Sequence, residues 1–320
     1  MTTPASASVS HGRNRLGDQP PRYDLSYRDV FWRSRGYEDR CDRMALRALL
    51  PKSGRQLLEI GAGFGRLANE YDAYEHVVLL DASADMREAA RERLTGDSKY
   101  EVVAGEATHL PFPDASFDTV VAVRLLLHLP NPAPMFREVA RVLRAGGVFI
   151  VEYPNRRHVL AIARHALGRE PWRDREPYQY SRGHYSHHPQ QVREQLRSAG
   201  LQPGELRAAS FFRNRPVKKV VPMSLLLAME ARLQAPLGRL TPAPSVFVRS
   251  VAGHPTGKQS EMGTITLAGG PASILRPPRG SLRAGRDRSR TAHRRIAFLI
   301  VTGGSATGPR LALRAREPLH

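Results

Sequence analysis

Gln56-Leu57-Leu58-Glu59-Ile60-Gly61-Ala62-Gly63-Phe64-Gly65-Arg66 is the stretch from which the fold is read. Gln56 to Ile60 has the composition of a short buried strand. It runs into three glycines within five residues, Gly61, Gly63 and Gly65. Positions without a Cβ let a ligand reach the backbone. A helix is predicted from about Arg66 to Tyr74, and its free N–H groups and dipole would face the same ligand. A glycine turn at the carboxyl end of a first strand is where open α/β sheets bind nucleotides.

The spacing does not suit a dinucleotide. G-x-G-x-x-G counted from Gly61 puts Arg66 at the third glycine. The pattern is Glu59-x-Gly61-x-Gly63-x-Gly65, with an acid closing the strand. It resembles motif I of the class I S-adenosylmethionine-dependent methyltransferases. S-adenosylmethionine has no phosphate and needs no wide anion nest. It carries an ammonium, a sulfonium and a carboxylate, and Glu59 suits the cationic end, directly or through water. The plain alternative for a glycine triplet is a tight turn.

Two further stretches fall in order behind the first. Val77-Val78-Leu79-Leu80-Asp81 is an apolar run ending in an acid, about twenty residues past the first glycine, where a nucleotide fold places its ribose-binding carboxylate. The alternative for Asp81 is a helix cap, because a helix is predicted over Ala84–Thr95. Tyr100 to Ala107 and Leu110-Pro111-Phe112-Pro113-Asp114-Ala115-Ser116-Phe117-Asp118 closely resemble the "GDA…LPFPDxSFD" run of the type 11 methyltransferase family. That resemblance implies that Glu106 and Ala107 lie at the adenine, with Glu106 one methylene longer than the family's usual Asp.

Strands are predicted at Gln56–Ile60, Val77–Leu80, Tyr100–Ala104, Thr119–Val123 and Val148–Glu152, with helices between them, including Pro134–Leu143. This alternation predicts a parallel sheet with right-handed crossovers. Leu206–Phe212 and Ser245–Val251 resemble the final antiparallel pair of the class I fold. The expected fold is therefore α/β, a Rossmann-like seven-stranded sheet with helices on both faces. The fourth strand runs into Arg124 and His128, which makes both pocket candidates: Arg124 as a cofactor contact, His128 as a general base. Support of the cofactor loop is the weightier role for His128. Asp118 is expected only to start its strand.

Composition narrows the rest. The chain has 320 residues, 41% hydrophobic and 25% charged, with one cysteine, Cys41. That is enough for one sizeable α/β domain with extensions, and it excludes a disulfide frame and a cysteine-based zinc site. With a single cysteine a reducing cytoplasm is the default expectation, and no signal segment or membrane-spanning apolar run is read in the sequence. Of the net charge of +19, residues 251–320 hold twelve Lys/Arg against three Asp/Glu, a net +9. The remainder is only a modest hint of an acidic partner.

Residues 1–22 are Ser-, Gly- and Pro-rich and are expected to be disordered. Residues 23–251 form the expected methyltransferase domain, with 23–50 as a helical cap over the pocket. Tyr27, Trp32 or Arg35 touches cofactor or acceptor on the resemblance. Pro154–Arg182 is expected to be irregular and to carry Trp172, Tyr178 and Tyr180. His184, His187 and His188 are not expected to bind metal, and Ser186-x-x-Pro189 is expected to open a helix over Gln190–Ala199. Pro216–Leu237 reads as an insert, either a substrate lid or a dimer face. Residues 252–320 read as a low-complexity basic tail, either a disordered extension or a reading-frame artefact, whose Ile296–Val301 segment is an aggregation risk if exposed.

The expected reaction is methyl transfer to an O, N or C nucleophile of a small-molecule acceptor. The alternatives are an RNA methyltransferase, with nucleic acid as the less favoured partner, and a catalytically silent S-adenosylmethionine-binding scaffold.

Overall fold

The computed structural model describes residues 32, 34–168, 175–181 and 183–253. Expectations for residues 1–22, Tyr27, Trp172 and the segment from 254 onward, including Ile296–Val301, lie outside the described residues. Seven strands form one sheet in the order β3-β2-β1-β4-β5-β9-β8. They are β1 (Gly54–Ile60), β2 (Tyr74–Asp81), β3 (Tyr100–Ala104), β4 (Phe117–Ala122), β5 (Leu143–Pro154), β8 (Leu201–Ala209) and β9 (Ser245–Ala252). The strands β1 to β5 pair in parallel, and β9 is antiparallel to both β5 and β8. A second, two-stranded antiparallel sheet is made by β6 (Tyr178–Ser181) and β7 (His184–Ser186). The strand order reverses between β1 and β4, so a crevice opens at their carboxyl ends.

Alternation along the strands builds two cores. Leu58 and Ile60 of β1, Val120 of β4 and Phe149 of β5 join Phe136 of α3 (Ala133–Val142) and Val192 of α5 (Pro189–Ser198). Leu57, Val121 and Ile150 point the other way and join Ala45, Leu46 and Leu49 of α1 (Gly36–Leu49). Helices therefore cover both faces, as the sequence predicts. By the same alternation Glu59 and Glu152 point to the α1 face.

The helix expected over Arg66–Tyr74 does not form. That segment is a run of turns and one 3-10 turn, Ala68–Glu70. Gly65 sits at φ +70°, outside the right-handed helical region. Tyr74 already belongs to β2, so too few residues remain for a stable α-helix. Elsewhere, Val159–Ala166 is a helix, α4, inside the stretch expected to be irregular. His158 caps it by accepting from the Ala161 N–H at 3.3 Å, a role histidine seldom signals in a sequence. The last strands also differ at their ends, because Ser210 takes φ +67° and stops β8 at Ala209. The expected insert holds two helices, α6 (Arg215–Val220) and α7 (Met223–Leu233), broken at Pro222.

The helix α1 is fastened at two points. The Tyr37 hydroxyl donates to Glu230 of α7 at 2.6 Å and accepts from the Phe212 N–H at 3.1 Å. Asp42, fully buried, accepts from Arg124 at 2.8 and 3.0 Å and from Arg66 at 3.2 Å. Removing one partner of a buried charge pair leaves the other uncompensated. Asp42→Ala is expected to destabilise the fold by about 3–5 kcal/mol in urea denaturation. Tyr37→Phe should lose about 1–3 kcal/mol. Tyr153→Phe, which removes a buried hydroxyl without a hydrogen-bond partner, should lose less than either.

Candidate cofactor and acceptor site

The loop after β1 is tied down by the end of β2. The N–H groups of Gly61 and Ala62 donate to the Leu80 carbonyl at 2.8 and 3.1 Å. The Asp81 carboxylate accepts from the Gly63 N–H through Oδ2 and from the Ser83 N–H through Oδ1, both at 2.8 Å. Ser83, not Asp81, caps α2 (Ala84–Arg93), by accepting from the Met86 N–H. Asp81 is therefore a brace between the glycine loop and the start of α2. Burial raises its pKa, and the two N–H donors partly offset this. Gly63 takes φ +57°, and a Cβ there would meet nothing within 4 Å. Its backbone faces open space.

That space is a cleft lined by Trp32, Glu59, Gly61 to Phe64, Arg66, Val123 and Arg124. Trp32 lies over the Arg66 guanidinium, 4.0 Å from ring centroid to Cζ. Glu59 is 2% exposed, and its Oε2 has no hydrogen-bond partner. Burial pushes its pKa up to about 7, and the neighbouring Arg66 charge and Tyr71 hydroxyl only partly counter this. An acid held this way is a poor ending for a closed core and a good one for a site that receives a cation.

At the end of β4 the backbone turns sharply. Arg124 has φ +59°, an uncommon conformation for a non-glycine residue. Its N–H donates to Glu152 Oε2 at 3.0 Å, and its guanidinium forks onto Asp42. Ser245 of β9 donates to the other Glu152 oxygen. Two buried acids, one from α1 and one from β5, therefore hold the turn.

His128 ends a 3-10 turn, Leu126–His128, and its ring lies 5.2 Å from that of His184. Tyr180 stacks on His184 at 6.1 Å with 17° between the planes. Burial, and then the charge of His184, push the His128 pKa down to about 4, against a backbone hydrogen bond with Gly183 that raises it. The other two histidines are structural. His187 donates through Nε2 to the Leu126 carbonyl at 2.8 Å, and His188, rather than Ser186, caps α5 by accepting from the Gln190 N–H at 3.3 Å. Among the described residues no group of three or more His, Cys, Asp or Glu is arranged to hold a metal.

The structure thus gathers Glu59, Gly61, Gly63 and Arg124 around one cleft and ties Asp81 to it through Gly63. Gly65 packs instead against Leu94 and Leu79. Glu106 is exposed just past β3, bridged to His109, and Ala107 packs on the core. Neither these two nor His128 lines the cleft. Asp118 does more than start a strand: its Oδ2 accepts from the Arg55 and Gln56 N–H groups at 2.9 Å each. Asp42, Glu152 and Arg66 carry the site's electrostatics but have no motif of their own. The only sequence signal for Asp42 is an acid on the buried face of an arginine-rich helix.

Comparison with known proteins agrees with this architecture. Residues 58–151 match the family described as "Methyltransferase domain". A demethylmenaquinone methyltransferase from Clavibacter sepedonicus is 39% identical over 106 residues, 33% of this chain and 43% of the relative. The 27-O-demethylrifamycin SV methyltransferase of Amycolatopsis mediterranei is 35% identical over 112 residues, 33% of this chain and 40% of the relative. The match spans about two-fifths of the length of these curated relatives. The complex between the Haloferax volcanii Trm112 methyltransferase activator and its proposed methyltransferase aligns with TM-score 0.50 at 21% identity, over 73% of this chain and all of that one, a likeness of fold. Residues 58–151 thus match a methyltransferase domain family and lie in a seven-stranded, mostly parallel Rossmann-like sheet.

Proposed function

We propose that this chain transfers the methyl group of S-adenosylmethionine to an O, N or C nucleophile of a small-molecule acceptor. The observation that carries this reading is the buried Glu59 carboxylate, whose Oε2 has no hydrogen-bond partner, beside the open backbone of Gly63. The residues present fit the cofactor's chemistry. Glu59 suits an ammonium, Gly63 leaves the backbone uncovered, and Trp32 closes one side of the cleft. Asp81 spends one N–H acceptor site per oxygen, so its remaining lone pairs are available to ribose hydroxyls. Glu106, at the next strand end, is assigned to the adenine amine. When bound, the cofactor supplies an already activated methyl group on its sulfonium.

What is left for the protein is positioning and exclusion of water. The clamp of Asp42 and Glu152 on Arg124 fixes the floor of the site at the end of β4. His128 is assigned a supporting role. A base whose conjugate acid has a pKa near 4 draws a proton weakly at neutral pH. The small-molecule acceptor is supported by the names of the two relatives above, whose substrates are a demethylmenaquinone and a demethylrifamycin. No helix among the described residues is long and apolar enough to cross a membrane. A cytoplasmic location rests on the single, unpaired Cys41.

Calorimetry with S-adenosylhomocysteine tests the site. Asp81→Ala should weaken binding by about 1–3 kcal/mol and Asp81→Asn by less. Unchanged affinity together with a lowered melting temperature would reduce Asp81 to a brace of the loop.

Glu59 gives the binding a pH signature. Its folded pKa, near 7, lies above the ordinary carboxylate value, so the proton it holds must leave when a cationic ligand arrives. Affinity for S-adenosylhomocysteine is therefore expected to rise from pH 6 to pH 8 with release of a proton, read from buffers of different ionisation enthalpy. Glu59→Gln should bind more weakly and without that pH dependence.

The depressed pKa of His128 has the opposite form. The unfolded chain takes up this proton near pH 6.5, while the folded protein takes it up only near pH 4. Stability contributed at neutral pH is therefore lost as pH falls from about 6.5 toward 4. His128→Gln should flatten the acid limb of a melting-temperature profile. A His128 that titrates near 6.5 by NMR would restore the general-base assignment.

A further inference from the structure

The run Leu110-Pro111-Phe112-Pro113, a few residues past β3, is short of donors. Its prolines carry no N–H, so the segment is fixed mainly through its carbonyls. Carbonyls are held by groups that donate, and α3 supplies one. Arg141 Nη1 donates to the Phe112 carbonyl at 2.7 Å and to Asp114 Oδ1 at 2.9 Å. Its Nη2 donates to the Leu110 carbonyl at 3.0 Å and to Glu138 Oε2 at 2.7 Å, and its Nε donates to Glu138 Oε1 at 2.9 Å. All five guanidinium N–H groups are thereby used. Glu138, one turn earlier on α3, also accepts from the Leu110 N–H at 2.8 Å. Leu110 is therefore gripped through both its N–H and its carbonyl by one Arg–Glu pair. The same helix end takes the next residues, since the Ala115 and Ser116 N–H groups donate to the carbonyls of Arg141 and Val142 at 2.9 and 2.8 Å.

The gripped run reaches the cofactor side of the sheet through Pro111. A Cβ on Gly105 would stand 3.2 Å from Pro111 Cδ and 2.7 Å from Leu80 Cδ1, so Pro111 and the end of β2 close on the same glycine. The Gly105 N–H donates to the carbonyl of Asp81 at 3.4 Å, and Asp81 is the brace of the glycine loop. Between Gly105 and Leu110 the His109 N–H donates to the Glu106 carbonyl at 3.1 Å, closing a tight turn. Glu106 thus stands between two anchors: Gly105 under Pro111, and Leu110 in the grip of Arg141 and Glu138. The side chains of that pair are 30% and 22% exposed. An ion pair so open to water contributes little to global stability, whereas a planar fork fixes the direction of each acceptor it meets. The pair therefore sets geometry more than stability.

We propose that Arg141 and Glu138 are positioning residues for recognition of the cofactor's base: by fixing Leu110 and Pro111 they set where Glu106 meets the exocyclic amine of adenine. This rests on the reading of the cleft as the methyl-donor site with Glu106 at the adenine. Both residues act through the loop, not by touching the base.

The test compares S-adenosylhomocysteine with S-inosylhomocysteine, which has a carbonyl in place of the amine, by calorimetry on the full chain well below the melting temperature of each variant. The wild type should prefer the adenine ligand about ten- to hundred-fold, the size of one hydrogen bond to a charged group. Arg141→Lys keeps the charge and loses the fork, and it should cut that preference to about threefold or less while the affinity for the inosine ligand changes little. Glu138→Gln keeps an acceptor for the Leu110 N–H but breaks the pairing with Arg141, and it should reduce the preference as well. Glu106→Ala should abolish the preference, and adding Arg141→Lys to it should change nothing further, as expected of residues that act through one contact. Arg144→Lys, the same change at the arginine paired with Asp118, should behave as wild type. An unchanged preference in Arg141→Lys, an equal loss of both ligands, or a loss that adds in full to that of Glu106→Ala would overturn the proposal and leave Arg141 a staple of the fold. Equal binding of the two ligands by the wild type would overturn it too. A wild type that binds neither ligand would instead overturn the methyl-donor reading, and the proposal with it.

Discussion

The buried carboxylate of Asp42 is the constraint on which the site depends. It sits on α1, with no exposed surface, and takes guanidinium donors from the loops that follow two neighbouring strands, β1 and β4. Arg66 comes from the glycine loop after β1, and Arg124 from the turn after β4. Without that carboxylate two arginines would face each other at the edge of a low-dielectric cleft. With it, the cap helix, the glycine loop and the strand end become one rigid unit. Arg43 and Arg47 extend the same logic outward by sharing Glu70.

The other buried acids among the described residues are Glu38, Glu59, Glu152 and Glu230; Glu38 pairs with Lys218 through one oxygen and leaves the other without a hydrogen-bond partner. Glu152 and Glu230 are satisfied: the first by Ser245 and the Arg124 N–H, the second by Tyr37, Ser210, Phe211 and Gln234. Both act as knots that fix strand ends. Glu59 has an unpartnered oxygen and a raised pKa. A fold tolerates such a group where a ligand supplies the missing partner.

The missing helix after the glycine loop fits the same chemistry. An α-helix starting near Arg66 would have aimed a positive dipole end into the cleft, as a phosphate site requires. The chain instead forms short turns, and the Gly63 N–H is taken by Asp81. The edge of the cleft therefore presents a carboxylate, Glu59, rather than a row of free donors. That suits a cationic ligand end better than a pyrophosphate.

By itself the sequence determined the parallel core, the glycine loop and the ends of the first three strands. Each of these is encoded locally, in a period of two, a Cβ-free turn and an acid closing an apolar run, as Glu59 and Asp81 do. It also marked Glu59, Gly61, Gly63 and Arg124 as residues that the fold gathers around one cleft. The tertiary structure alone decided that Arg66 begins no helix, that His158 and His188 cap helices, and that Asp42, 82 residues from Arg124, is its counter-ion. It alone decided that β8 ends on the same side of the sheet as the glycine loop, because that follows from two antiparallel steps across β9. The physical reason is range. Periodicity and turn chemistry act over a few residues, whereas charge compensation and strand order join residues that only the folded chain brings together.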